Sequence, residues 1–568
     1  MRRRAIRVIA AVLALQLVAA GCGSVRLHSS PPIVQGIFPD DHLARENKRR
    51  LTKEFHLEWN LRGRPGRPPG QCLALSGGGI RSAAFSTGAL KALHSLGLLE
   101  KMDVMSAVSG GAYALSWYYA GHLEHEHDAA RDAWLTGAAG PDGVPVEVGP
   151  VARLDDKGFV GIPEYVALAI ANTLAAPWNL FANGLFGWHL NTTPARPYYE
   201  LRIRDTFHGG REMAFEEVRA LIQRRNLPTF VINTTAYVDD DRGHLGGRLS
   251  NTVFEFTPLR YGSAAFGYNN KSFPFSVGRA VSISGAALDS SVVAGSTQKT
   301  LVSLLNQDLN YTIPNFPVNF EPESSPLGGL LPEPAPPSVH NALPFPFYFF
   351  SGRYQWDAEG IRIHLADGGH AENLGAFALV RRLCQRIVIV DAEHDPEYVF
   401  NAYFKLKAAL RAEFGVDLSL PVLDRFFVET PRRVSINRQR SPGDRAVQYT
   451  EGTIRWFPMP GAPDQPDQRL EIQVAYIKLA LTQADVDSGT YLPTVTEYWK
   501  RSRAGFEWTA DVPNKCRETD FFLRACVFPQ ESTAHQDFDG AQFKAYRDLA
   551  DQIVKDNAAQ IRRVLSEP

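Results

Sequence analysis

The chain has 568 residues, with 60 Lys and Arg against 61 Asp and Glu, so it carries no excess charge to draw it to nucleic acid or another polyelectrolyte. Its 44% hydrophobic and 21% charged content is that of a packed globular protein and excludes disorder as the main state.

The first stretch, "MRRRAIRVIAAVLALQLVAAGC", has four arginines, an apolar run over residues 8–20 broken only by Gln16, and small residues before Cys22. The run falls short of the roughly 20 residues that cross a bilayer, so residues 1–21 read as a secretory signal peptide and not a spanning helix. "AAGC" resembles a bacterial lipobox, which predicts Cys22 as the lipidated first residue of the mature chain; the alternative is simple cleavage to a freely soluble product. Losing residues 1–21 removes four basic residues and no acidic one, for a mature charge of about −5. Gly23, in place of the aspartate that keeps lipoproteins at the inner membrane, points to the outer membrane of a Gram-negative envelope, facing the periplasm or the exterior. Residues 22–69 are polar, close on "RGRPGRPPG", and read as a tether.

From "QCLAL" onward, short apolar runs alternate with helical periodicity. "CLALS", "MDVMSAV", "TFVINTTAYV", "IRIHLAD" and "RIVIVDAE" predict strands, and "SAAFSTGALKALHSL" and "GAFALVRRL" predict helices. The implied class is α/β, a sheet of buried strands covered by helices, with its core over residues 70–400. Two inserts interrupt it. Residues 165–188, "YVALAIANTLAAPWNLFANGLFGW", hold no charged side chain, and residues 343–356, "LPFPFYFFSGRYQW", are dense in aromatics. Three asparagines, Pro177 and two glycines argue against a spanning helix for the first insert. Both read either as covers that dip into a lipid interface or as plain core. Residues 401–568 form a C-terminal extension packing on the core, with one strong strand, "LEIQVAYIKLAL". Its closing helix places Phe543, Tyr546, Leu549, Ile553 and Ile561 on one stripe, as expected for core contact. Of the remaining cysteines, Cys72 and Cys384 read as core residues, while Cys516 and Cys526 are candidates to pair in an oxidising compartment.

Three glycine-rich strand ends carry the chemistry. In "MDVMSAVSGGAYALSWYYAG" Ser109 stands between a strand and a helix, the layout of a nucleophile elbow, although Ala107 occupies a position where such elbows usually carry glycine. In "LALSGGGIRSAAFSTGALKAL" the turn at Gly77, Gly78 and Gly79 can aim backbone amides into one concavity, for an oxyanion or a phosphate; the lysine and spacing of a P-loop are missing. Arg81 is a candidate to hold a substrate anion, or else a surface ion pair. In "IRIHLADGGHAENLGAFAL" Asp367 ends a strand, on the edge where α/β sheets hold their ligands. A serine needs a base and oxyanion donors, and the three turns together offer all of these roles.

"SGGGIR", "AVSGGA" and "DGGHAENLG", in this order, resemble the motifs of the patatin and cytosolic phospholipase A2 superfamily; "RAVSISGAAL" and "FPQESTAHQDFDGAQFKAYRDL" are similar to bacterial patatin-like sequences. The resemblance implies a three-layer sandwich with a central, mostly parallel sheet. It also implies a Ser109–Asp367 dyad, an oxyanion hole from Gly77, Gly78, Gly79 and Gly110, and an arginine at Arg81 that steadies the phosphate or the loop. The expected substrates are fatty acyl esters of membrane phospholipids or lysophospholipids, reached through the lipid anchor and the apolar inserts. No cofactor is implied, and with no recognisable calcium-binding lipid domain the chemistry is expected to be metal-independent. Two rivals stand beside this reading: a Ser-His-Asp hydrolase using His370 or His364, and a non-catalytic lipid-binding or scaffolding envelope lipoprotein.

Overall fold

The computed structural model describes residues 68–125, 150–157, 195–239, most of 249–287, 362–430, 445–456, 471–504 and 527–566, with short stretches between. The signal peptide, Cys22, most of the tether, the insert at 343–356, Cys516 and Cys526 lie outside the described residues, as does most of the insert at 165–188.

The apolar runs become strands of one twelve-stranded sheet. In chain order these are β1 Gln71–Leu75, β2 Val104–Val108, β3 Thr229–Asp239, β4 Leu249–Phe256, β5 Tyr261–Ser263 and β6 Gly267–Asn269. They are followed by β7 Tyr311–Pro314, β8 Arg362–Ala366, β9 Arg386–Asp391, β10 Val416–Ser419, β11 Tyr449–Trp456 and β12 Glu471–Lys478. The main path runs β10-β11-β12-β9-β1-β2-β3-β4-β5-β6, and β8 branches from it, pairing with both β3 and β7. Strands β12, β9, β1, β2 and β3 are parallel. The edges are antiparallel.

Parallel central strands bury both faces, and the side-chain alternation shows it. Leu73 and Leu75 of β1, with Val388 and Val390 of β9, join one hydrophobic core, while Cys72, Ala74, Ile387 and Ile389 join the other. Helices α1 Gly79–Ser95, α2 Gly110–Glu124 and α3 Val277–Ser284 cover the first face. Helices α4 Phe377–Arg381 and α5 Asn401–Phe414 cover the second. This is a three-layer α/β sandwich.

Residues past 400 contribute β10, β11 and β12 to the same sheet, then α6 Gly540–Asp556 and α7 Ala558–Leu565. Phe543, Tyr546, Leu549, Ile553 and Ile561 are all fully buried, as their spacing predicts. Helix α6 crosses α1 at Gly88, where an added Cβ would stand 1.9 Å from the Arg547 carbonyl oxygen. No larger residue fits that crossing.

Cys72 and Cys384, expected as separate core residues, are both buried and joined by a disulfide, with Cα atoms 6.2 Å apart. The reason is the parallel register: Cys72 lies opposite Ile387, so the turn that leads into β9 brings Cys384 alongside β1. Among the described residues no helix is long and apolar enough to cross a membrane. In the described part of the first insert Ile170 is 58% and Leu174 76% exposed, so these two side chains do not serve as core.

Candidate active site

The site is assembled where β1, β2, β8 and β9 end. Ser109 follows β2 and precedes α2, with φ 48° and ψ −119°, a left-handed backbone that a non-glycine residue adopts only when its surroundings enforce it. What enforces it is close packing. A Cβ at Gly110 would lie 1.9 Å from the Gly79 carbonyl oxygen, and one at Gly111 would lie 2.5 Å from the Leu75 carbonyl oxygen. The two glycines therefore let the elbow press against the neighbouring turn. Ala107 is accommodated without strain on φ, fully buried within β2, and its carbonyl accepts from Asn233 Nδ2 at 2.9 Å.

Behind the elbow, the Ser109 amide donates to Ser284 Oγ at 2.7 Å, and the Ser284 hydroxyl donates to the Asn233 carbonyl at 2.6 Å. Ser284 thus ties the Ser109 backbone to β3. It was missed as a functional residue, although it lies inside "RAVSISGAAL", one of the stretches that carried the family resemblance.

The glycine turn after β1 divides in two. The Gly77 amide donates to the Asn373 carbonyl at 2.8 Å, so that donor is engaged in holding the turn and is withdrawn from the expected oxyanion hole. Gly78 and Gly79, at φ 142° and 63°, turn the chain into α1, which begins at Gly79 and not near Ser82. Their amides and that of Gly110 have no hydrogen-bond partner among the described residues, leaving three donors beside Ser109.

Arg81 does not take the part of a substrate-anion contact. It is 1% exposed; its guanidinium donates to the Ala392 carbonyl at 3.1 and 3.2 Å, to the Glu531 carbonyl, and to Thr533 Oγ1 at 3.1 Å. Burial lowers its pKa to about 10, against the opposing pull of Glu531, Glu393 and Asp391, so it stays cationic near neutral pH. A Cβ at Gly78 would come within 2.9 Å of Arg81 Nη2, which places the guanidinium directly behind the turn it braces. The reason it could not be read from "SGGGIR" is that its acceptors lie on β9's exit and on a segment 450 residues downstream.

Asp367 ends β8, and Thr235 Oγ1 of β3 donates to its carbonyl at 2.6 Å. Its carboxylate accepts from the Gly369 amide at 2.7 Å, and it lines the same pocket as Ser109, whose hydroxyl favours its charged form. Burial pushes the Asp367 carboxyl above its ordinary value, opposed by the charge of His370, the Gly369 amide and the Ser109 hydroxyl. His370 stands on the same turn and lines the same pocket. His364 lies within β8, opposite Thr312 of β7.

Glu372 is a further residue that sequence reasoning passed over. Fully enclosed, its carboxylate accepts from the amides of Leu374 and Phe377, and burial pushes its pKa up to about 7. It fixes the turn that presents the Asn373 carbonyl to Gly77.

Ser109, Asp367, Gly78 and His370 open on one pocket of about 200 Å³, which Glu393, His394, Asn401 and Lys405 also line. A hydroxyl and a carboxylate on one pocket, with unengaged amides beside them, are an arrangement that can attack a carbonyl and receive the oxygen charge.

Residues 73–287 match the family model described as patatin-like phospholipase; the matched segment holds the glycine turn and Ser109 and ends before Asp367. Among solved structures, human GIVD cytosolic phospholipase A2 is similar in fold, with TM-score 0.50 and 14% identity over 95% of this chain and 68% of that one. The same human enzyme in complex with methyl gamma-linolenyl fluorophosphonate is similar at TM-score 0.46 and 14% identity, over 96% of this chain and 69% of that one. No curated protein matches the sequence.

Proposed function

From the patatin-like phospholipase domain that residues 73–287 carry, we propose that this protein is a lipid acyl hydrolase that cleaves fatty acyl esters of phospholipids or lysophospholipids through a Ser109–Asp367 dyad. The observation that carries this reading is Ser109, held at a left-handed elbow and lining one pocket with Asp367, with the Gly78, Gly79 and Gly110 amides unengaged among the described residues.

The chemistry follows from that placement. Asp367 takes the Ser109 proton as Oγ bonds to the acyl carbon, and the carbonyl oxygen becomes an oxyanion facing the three amides. Collapse expels the alcohol, which leaves with the proton from Asp367. The acyl-serine is then hydrolysed by a water that gives its proton to the same carboxylate, releasing the fatty acid and restoring Ser109. The elevated pKa of Asp367 suits it to this exchange, because a base of raised pKa accepts the serine proton more readily.

On the same reading the protein is a cell-envelope lipoprotein anchored at Cys22, with exposed Ile170 and Leu174 meeting the lipid surface that holds its substrate. The Cys72–Cys384 disulfide supports an oxidising compartment.

The test is turnover of defined phospholipids and lysophospholipids by the purified protein, wild type beside Ser109→Ala, with labelling by an alkyl fluorophosphonate. Release of fatty acid and labelling, both lost in Ser109→Ala, are expected. A folded wild type that is never labelled and releases no fatty acid supports the scaffolding alternative.

A further inference from the structure

Arg81, sealed behind the oxyanion turn, is out of reach of a substrate's phosphate. The pocket offers another cation. Asn401, Ala402 and Lys405 of α5 form one wall of the cavity that Ser109 and Asp367 also line. Lys405 is exposed and makes no ion pair with any described residue, and its ammonium rides on a flexible four-carbon stem.

The acidic group on that wall does not compete for it. Glu393 is nine-tenths buried and its carboxylate is turned inward, accepting from Lys478 Nζ at 3.2 Å and from the Ala402 amide at 3.0 Å. Asp391 and Asp395 share the same lysine, at 2.9 and 3.3 Å, behind the pocket wall. Burial pushes the Glu393 carboxyl up, against the pull of Lys478.

We propose that Lys405 is the headgroup contact of this enzyme: its ammonium meets the anionic phosphodiester of a glycerophospholipid whose ester carbonyl lies at Ser109. The pocket's small volume, about 200 Å³, sets the span. An ester and a phosphodiester joined by a glycerol are only a few bonds apart, and a cavity shared by Ser109 and Lys405 holds both ends at once. This assignment rests on the acyl hydrolase reading above and names the substrate feature it selects.

The measurement is a specificity ratio: kcat/KM for a lysophosphatidylcholine divided by kcat/KM for a monoacylglycerol of the same acyl chain, both in mixed micelles. In Lys405→Ala the ratio falls about tenfold, the loss residing in KM, as expected for one charge-assisted hydrogen bond at a solvated site. Lys405→Arg restores most of it, and Lys405→Gln behaves as the alanine variant; thermal melts confirm that each variant is folded. A ratio unchanged in Lys405→Ala and Lys405→Gln, or rates on both substrates falling together, overturns the headgroup contact; the latter is what a carboxylate-product site would give. Wild type that turns over neither ester overturns the hydrolase reading itself, whereas turnover of both with an unmoved ratio overturns the subsite alone.

Discussion

Gly110→Ala tests the site at its tightest point. The new methyl carbon would stand 1.9 Å from the Gly79 carbonyl oxygen and 2.7 Å from its carbon, both backbone atoms. Since real Cβ contacts begin near 3.0 Å, the elbow and the glycine turn must part by about 1.1 Å. The Gly79 and Gly110 amides sit on opposite sides of that gap, so the pair can no longer converge on one oxygen. Losing a single oxyanion donor lowers kcat by about 10²- to 10³-fold, or roughly 3 to 4 kcal/mol of transition-state stabilisation. The assay is kcat and KM on a p-nitrophenyl acyl ester, with a thermal melt to establish that the variant is folded. We expect kcat to fall by at least about a hundredfold while KM changes little. A folded Gly110→Ala protein with kcat within about fivefold of wild type would falsify the assignment of these amides to the oxyanion.

Five further outcomes are expected. Asp367 acts as base only when ionised, and burial raises its pKa, so kcat/KM is present at high pH and is lost as pH falls through a value above the ordinary 3.8. His370→Ala removes a positive charge that lowers that pKa, so the acid limb of the pH–rate profile moves up while the alkaline plateau largely survives, and Asp367→Asn abolishes turnover throughout; loss of the plateau in a folded His370→Ala protein assigns the base to histidine. Ser284→Ala frees the Ser109 amide and the Asn233 carbonyl, lowering kcat about tenfold with KM held and costing about 1 to 3 kcal/mol of stability, read by kinetics and denaturant melts. Reducing the Cys72–Cys384 bond, which spans 312 residues, removes up to about 5 kcal/mol by chain entropy; an identical Tm with and without reductant would contradict it. Replacing both Ile170 and Leu174 by Glu selectively lowers the rate on phospholipid vesicles, since each side chain gives up roughly 1.5 to 3 kcal/mol of burial; equal effects on a dispersed short-chain ester remove the docking role.

The parts of this molecule that local pattern dictates were legible in the chain. The strand runs that end in Ser76, Ser109 and Asp367 are apolar segments stopped by glycine, and the structure brings Ser109 and Asp367 to one pocket. The closing helix was equally plain, because its buried stripe is a property of its own spacing. What escaped were properties fixed by distant partners. Whether the Gly77 amide is available depends on the Asn373 carbonyl, and whether Arg81 faces substrate depends on Ala392, Glu531 and Thr533. The cysteine pairing follows from the neighbouring positions of β1 and β9, which no spacing in the sequence encodes. Ser284 escaped for another reason: a buried serine in an apolar helix reads as filler until its two hydrogen bonds are seen.

The brace of Arg81 on the Glu531 and Thr533 segment makes competence a property of the finished polypeptide. A nascent chain that has completed its glycine turn, its serine and its aspartate still lacks the strut that stiffens the turn, and a product cut short before residue 531 would keep those three turns yet lose both the strut and helix α6.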